Sequence, residues 1–506
     1  MTTNITSSRQ FSQTICFWLG FTILLSLSGC SDDSESSTGY IQLYNLSSNS
    51  PSIYLTVDKE NDDNFNEKIH TPVAYTQVSS RLAYDADTYD IELAWQSEYN
   101  NQYDLELVYQ DQLKVNSDTI EFVVIAEDIK SPDVMVYEIP VRDDDELASD
   151  SVDEVFNIRA LNMHAEFAGV DIYFSQSDET FNEANLLNQN NYSQMSDNQK
   201  VAIDDYIFYL TLSGSDDVLF TSQSIAFPYA SEYIMVIRKN TGVGSSPFIL
   251  DLVSTSAINQ YSDTNSAASY RIYNGIVEHE LLTGYEGTVD FHLNAIDDSP
   301  EVTTLNYGQF SQSNILDSGD YSMSLVSSSS QSPIISNHLL ALSENTDKTV
   351  LFYLLEEAVD EDGDGDIDEN DDGYIDEKAI TINSLVVDNS QSDNIYSHQM
   401  KVINLIDQDE IIDDFTNIKV YFVKSDEIIA TAEQSLTAIF AKPSSVELVN
   451  NTYTVFTIAQ LDSSEIILSS SELILDETSK DQFIILEKSD DSATGYNMKF
   501  VNQSDE

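Results

Sequence analysis

The chain is poor in positive charge, in cysteine and in long apolar runs. Only 21 of its 506 residues are Lys or Arg, against 88 Asp or Glu, which leaves a formal charge of −67. A field of that sign repels phosphate backbones and anionic headgroups, so nucleic-acid binding and electrostatic adhesion to lipid are excluded as functions. Two Cys, Cys16 and Cys30, are too few for a disulfide framework. No apolar run approaches the roughly 20 residues needed to span a bilayer as a helix. The six His (70, 164, 279, 292, 338 and 398) show no zinc spacing, no G-x-S-x-G elbow is present, and Gly242-Val-Gly-Ser-Ser246 lacks the Lys of a phosphate loop. No catalytic constellation emerges, and a non-enzymatic protein is expected. The hydrophobic share of 41%, with 28 Tyr and 22 Phe, nevertheless requires packed cores.

The longest apolar stretch, Ile15 to Leu27, follows Arg9 and has the length of a signal-peptide core. It ends in Leu27-Ser28-Gly29-Cys30, which resembles a bacterial lipobox. That resemblance implies cleavage before Cys30 and acylation of its thiol and amine, several chains anchoring far more firmly than one. Residues 1–29 are then a signal peptide and 30–38 a flexible tether. Ser31 after the Cys, where Asp would favour the inner membrane, implies an outer-membrane lipoprotein, periplasmic or surface-exposed, with Asp32 and Asp33 leaving the sorting open. The membrane is thus a partner through the lipid at Cys30.

The remainder repeats itself four times. Four alternating segments end at an Asn: Ile41 to Asn45, Ile158 to Asn162, Tyr270 to Asn274 and Met400 to Asn404. Second strands follow at Ile53 to Val57, Val170 to Phe174, Val289 to Leu293 and Ile418 to Phe422. A third landmark is Tyr75-Thr-Gln77, Tyr192-Ser-Gln194, Tyr307-Gly-Gln309 and, degraded, Ala432-Glu-Gln434. Each Tyr is expected to pack inside its own sandwich with a buried hydroxyl partner. Further period-two strands start at Tyr89, Tyr206, Tyr321 and Tyr453.

Six to eight short strands per hundred residues, with almost no helical periodicity, predict an all-β chain of four tandem Ig-like antiparallel β-sandwich domains. Their expected bounds are 39–142, 155–256, 269–387 and 398–490, with 491–506 a tail. The polar connectors, including Asp143 to Glu154, suggest beads on a string that move relative to one another. Ile158 to Phe174 resembles the opening of the bacterial domain-of-unknown-function family 4397 at Arg159, Asn162, Val170, Asp171 and Tyr173, more weakly at Arg271, Asn274, Val289 and Asp290. The resemblance implies a β-sandwich in an extracytoplasmic protein and no particular activity.

One segment carries metal chemistry. Counted from Asp360, the residues Asp360, Asp362, Asp364, Asp366, Asp368 and Asp371 occupy positions 1, 3, 5, 7, 9 and 12 of a calcium loop, with Gly365 at the sharp turn. Position 12 is Asp, one methylene shorter than the usual Glu, and the flanks read as strands. The segment therefore resembles the aspartate-rich calcium repeats of thrombospondin more than a helix–loop–helix switch. A second overlapping loop from Asp368 is incomplete, with Ala379 at its twelfth position. Ca²⁺ is expected as a structural brace inside an insertion at 360–377, the alternative being a solvated acidic hairpin tip. The expected task is structural or adhesive, with envelope proteins or polysaccharide as partners. The alternative is a lipoprotein that captures glycans or peptides for a transport system.

Overall fold

The computed structural model describes residues 38–59, 62, 64–97, 105–141, 155–297, 299–360, 377–406, 415–461 and 464–504. Cys30 and most of the acidic loop lie outside them. Among the described residues the chain is all-β, with two short 3₁₀ turns and no α-helix.

In the first unit eight strands form two sheets. They are β1 (Thr38–Asn45), β2 (Tyr54–Asp58), β3 (Lys68–Ile69), β4 (Leu82–Asp85), β5 (Asp87–Gln96), β6 (Leu105–Val115), β7 (Thr119–Ala126) and β8 (Asp133–Pro140). One sheet runs β4-β1-β7-β8 and the other β3-β2-β5-β6. The same order recurs in the third and fourth units, and in the second with two short additions, Ile225–Ala226 and Ile258–Tyr261. Each pair of sheets closes over its own apolar cluster, such as Ile41, Leu43, Leu55, Ile91 and Val123 in the first unit. The sandwiches are rich in antiparallel pairs but not purely antiparallel. The first strand of each unit lies parallel to its neighbour, Thr38–Asn45 on Thr119–Ala126 and its three counterparts alike. A parallel pair needs a long connection, and here the intervening strands of both sheets provide it.

The landmark Asn residues explain the repeat. All four are fully buried. Each amide donates to a carbonyl of the opposite sheet: Asn45 to Val73 (3.1 Å), Asn162 to Asn190 (3.4 Å), Asn274 to Leu305 (3.0 Å) and Asn404 to Ala438 (3.1 Å). Each side-chain oxygen accepts the N–H two residues on. The main-chain carbonyls of the four Asn accept N–H groups from Thr76, Ser193, Gly308 and Ala441. These four residues have positive φ (59°, 56°, 72° and 51°), each as the third residue of a tight turn that needs such a conformation.

The fourth landmark is therefore Phe440-Ala441-Lys442. Ala432-Glu-Gln434, expected from the Gln alone, instead leads into the strand Gln434–Ala438, with Glu433 paired to Lys424 at 2.9 Å. A second recurring device is a tyrosine corner. Tyr89, Tyr206, Tyr321 and Tyr453 each donate to the carbonyl four residues upstream, at 2.7–3.0 Å.

Two expected boundaries shift. The presumed tail holds a strand, Tyr496–Asn502, paired with Gln482–Lys488, and the connector after residue 256 holds Ile258–Tyr261. Both are edge strands: Ile258–Tyr261 is too short and polar to stand out from linker composition, whereas Tyr496, Met498 and Phe500 alternate and pack on the fourth core.

The units are not separate beads. The outer face of β1 and β7 (Tyr44, Ile120, Phe122, Val124) packs on Leu161, Met163, Ile234 and Val236 of the second unit. Tyr273 and Leu351 of the third unit pack on Ile403, Phe483 and Ile485 of the fourth. Between the second and third units the Asn240 and Asn345 amides exchange hydrogen bonds (2.8 and 3.2 Å). The circuit closes between the fourth and the first. Trp95 stacks on Tyr396 (4.5 Å between ring centres), the Ile395 N–H donates to the Asn49 carbonyl, and Lys130 pairs with Glu477 (2.6 Å).

Candidate functional site

The two buried interfaces are built alike. In both, the residue before the landmark Asn is a Tyr whose hydroxyl donates to an acid of the partner unit, Tyr44 to Asp251 and Tyr273 to Glu487. A base completes each group: Arg238 Nε lies 2.6 Å from Asp251, and Lys499 pairs with Glu487. Burial above all, and then the neighbouring carboxylate, pushes both tyrosines well above their ordinary value, so each keeps its proton and donates. Burial alone would lower Arg238, but Asp251 and the two tyrosines Tyr44 and Tyr75 hold it above its ordinary value, and it stays charged.

The turn aromatics cross the same interfaces in both directions. Tyr75 meets Thr241 of the second unit, and Tyr192 donates to Glu127 of the first (3.2 Å). Tyr307 donates to the Lys488 carbonyl of the fourth unit (2.8 Å), and Phe440 sits edge-on to Tyr353 of the third (5.5 Å). This corrects the expectation that each landmark Tyr packs within its own sandwich. Alternation shows that a side chain leaves a strand, not whose surface it meets.

Two acidic residues of the second strands have local tasks. Asp171 accepts from Ser213 Oγ and the Gly214 N–H, both at 2.9 Å, and Asp290 from the Thr304 N–H (2.7 Å) and Ser328 Oγ (2.8 Å). Both hold hairpin turns.

Of the expected metal ligands, Asp360 is described; Asp362, Asp364, Asp366, Asp368 and Asp371 lie outside the described residues. The flanks are strands, as expected: Asp347–Ala358 and Lys378–Asp388 pair in register from Lys348 and Asp388 up to Ala358 and Lys378. The Val359 N–H then donates to the Glu377 carbonyl (3.1 Å), which brings the two ends of the acidic segment together. Beneath it, buried Glu356 accepts from Lys378 (2.6 Å) and His279 (2.8 Å). Among the described residues no group of three or more His, Cys, Asp or Glu is arranged around a common point to hold a metal.

A cavity of about 450 Å³ lies where the first unit meets the fourth. One side is a row across three adjacent strands, on which Glu447 is exposed. Glu447 stands opposite Gln399 on the neighbouring edge strand, and Asp481 directly precedes the strand parallel to Ser397–Asn404. Asp481 accepts the Gln399 N–H (2.7 Å) and the Ser390 hydroxyl, and Glu447 accepts the Ser397 hydroxyl. Ser50, Ser52, Ala74 and Tyr75 of the first unit form the facing wall, and Ser392 and Asn394 of the connector the rim. Burial first, with the Glu447 charge as a smaller contribution, raises the Asp481 carboxyl; its hydrogen bonds and His398 offset this only in part. No base lines the cavity. Lys401, beside Asp481, turns its ammonium to the Asp388 carbonyl. Sequence reading missed this site because Ser and Asn in connectors are indistinguishable from solvated linker.

No family model and no curated protein matches the chain. Among solved structures it is similar to the Bacillus anthracis TIE protein, at 9% identity over 87% of this chain and 69% of that one, with a TM-score of 0.14. It is similar also to Escherichia coli alpha-2-macroglobulin activated by porcine elastase, at 9% identity over 89% and 44%, with a TM-score of 0.09.

Proposed function

We propose that the chain is a lipid-anchored envelope protein with a structural or adhesive role, whose sandwiches act as a stiff block. The observation that carries this reading is the reciprocal crossing of turn aromatics, Tyr75 against Tyr192 and Tyr307 against Phe440, around a buried ion pair in each interface. Units joined in this way hold a fixed spacing between an anchor and a distant contact. The lipobox-like Leu27-Ser28-Gly29-Cys30 supports attachment through acylated Cys30, and the extreme acidity keeps the body off anionic headgroups. Asp360, Asp362, Asp364, Asp366, Asp368 and Asp371 would hold Ca²⁺, a hard cation suited to oxygen ligands, as a brace on the hairpin of the third unit. Envelope proteins or polysaccharide are the proposed partners.

Fractionation of cells carrying wild type or Cys30→Ser, followed by protease treatment of intact cells, tests the reading. The wild-type protein is expected in the outer-membrane fraction and the variant in the soluble one, while cells lacking the protein attach less well to one another or to surfaces. An unchanged membrane association of Cys30→Ser sinks the anchor, and unchanged attachment sinks the adhesive role.

A further inference from the structure

We infer that the contact between the first and fourth units is a clasp that opens as ionic strength falls. Opening parts the body into two halves, the first unit with the second and the third with the fourth. The other contacts of the circuit join consecutive units, whereas this one joins the two ends of the chain and no peptide link crosses it. It is also the weaker kind. The interfaces within each half bury apolar clusters around an ion pair. The clasp is held, among the described residues, by the stack of Trp95 on Tyr396, the Ile395 N–H on the Asn49 carbonyl (3.1 Å) and the pair of Lys130 with Glu477. The side chains of that pair are 47% and 53% exposed. Ile395 and Tyr396 are partly buried against the first core, and the open cleft beside them marks where the two surfaces do not meet. Small polar contacts of this kind open at far lower cost than a packed core.

Asn450 fixes what moves. Its side-chain amide donates to the Ile395 carbonyl (2.8 Å) and its N–H to the Tyr396 carbonyl (3.1 Å), so both residues leave with the fourth unit. The second and third units stay joined by their connector and by Asn345, which accepts the Gly244 N–H (2.8 Å) and exchanges amide bonds with Asn240; this joint is the hinge. Charge supplies the opening force, because both halves are strongly acidic. At about 0.15 M salt the Debye length of about 8 Å screens their repulsion, and at about 0.01 M it reaches about 30 Å, the scale of a whole sandwich. An exposed ion pair holds weakly against that. The two buried interfaces stay shut in both states, so the inference does not rest on the scaffold reading above.

The test uses the full chain in a zwitterionic detergent, with Trp18→Phe throughout so that Trp95 alone emits. Hydrogen-exchange mass spectrometry and Trp95 emission are followed at about 10, 150 and 500 mM NaCl. The peptide holding the Ile395 amide is expected to exchange about tenfold faster at the lowest salt than at the highest. Trp95 emission is expected to shift over the same range as the ring loses Tyr396. The Met163 and Leu405 amides, bonded to the Ile237 and Leu486 carbonyls beside the two buried interfaces, are expected to keep their protection. Lys130→Glu is expected to move the opening to higher salt, and Tyr396→Ala to leave the clasp open throughout, both with the control amides still protected. The inference is overturned if Ile395 exchanges equally at all three concentrations. It is overturned also if exchange is faster at high salt, as a contact governed by Lys130 and Glu477 alone requires, or if the control amides lose protection in step, which is unfolding of whole units.

Discussion

Arg238 and Glu487 occupy the same position in their sandwiches and carry opposite charges. Each is the residue after the one paired with a landmark Asn, Ile237 with Asn162 and Leu486 with Asn404. Their partners are equivalent too, since Asp251 pairs with Val236 and Lys499 with Ile485 across the next strand. The ion pair is thus kept with its polarity reversed, while the Tyr that donates to the acid, Tyr44 or Tyr273, is retained.

Asp251→Ala is expected to destabilise the protein by about 3–5 kcal/mol, because it leaves Arg238 buried without its counter-charge. The double swap Arg238→Glu with Asp251→Lys copies the arrangement of the other interface and is expected to recover more than half of that loss. Urea melts of the single and double variants measure this. Strictly additive losses would show that the pairing is incidental.

Thr76, Ser193 and Ala441 adopt the left-handed turn conformation that Gly308 adopts freely. For a β-branched residue this is strained. Thr76→Gly is expected to stabilise by about 1 kcal/mol, after the entropy that glycine adds to the unfolded chain. A lower denaturation midpoint would refute this account of the turn.

Glu356 anchors the base of the acidic hairpin. Burial pushes its carboxyl up, but hydrogen bonds from Lys378 and His279 and their charges outweigh this and hold it below its ordinary value of 4.5. A carboxylate lowered on folding contributes stability above its unfolded value, and that contribution is lost as pH falls through the folded value. Glu356→Gln is therefore expected to melt lower than wild type at pH 7, with the gap closing as pH falls below the ordinary carboxyl value. A gap that stays constant would rule out the ionic contribution.

Millimolar Ca²⁺ is expected to raise the melting temperature and to shield residues 359–377 from protease, consistent with extracellular sites that bind at about 10⁻⁴–10⁻³ M. Asp362→Asn with Asp364→Asn is expected to remove both effects. A calcium-independent melt would leave the segment as a solvated acidic tip.

The strands and the fourfold repeat were legible because a half-buried strand alternates. Tyr89-Asp-Ile-Glu-Leu93 and its counterparts lie inside observed strands, with every second residue from the Tyr, such as Ile91, Phe208, Met323 and Val455, facing the cores. The landmark Asn was visible as a repeat, but its reason was not. A buried amide that ties the two sheets together leaves no period in the sequence. The fourth turn escaped for a related reason, since its requirement is a backbone angle at Ala441 and not the Gln used to search for it.

Residue order alone determined that this chain is built from strands, how often the unit recurs and where acidic residues crowd into calcium-loop order, because these depend on side-chain type and local spacing. It did not determine which outward faces would be covered. Ile120, Phe122 and Val124 alternate with residues of their own core and read the same as any strand buried on both sides. Only the packing of whole sheets decided that this face meets the second unit, that the ion pair is inverted in the other interface, and that serines far apart in the chain line one open cleft. Contacts between residues more than a hundred positions apart depend on the shape of finished surfaces, and no local pattern encodes that shape.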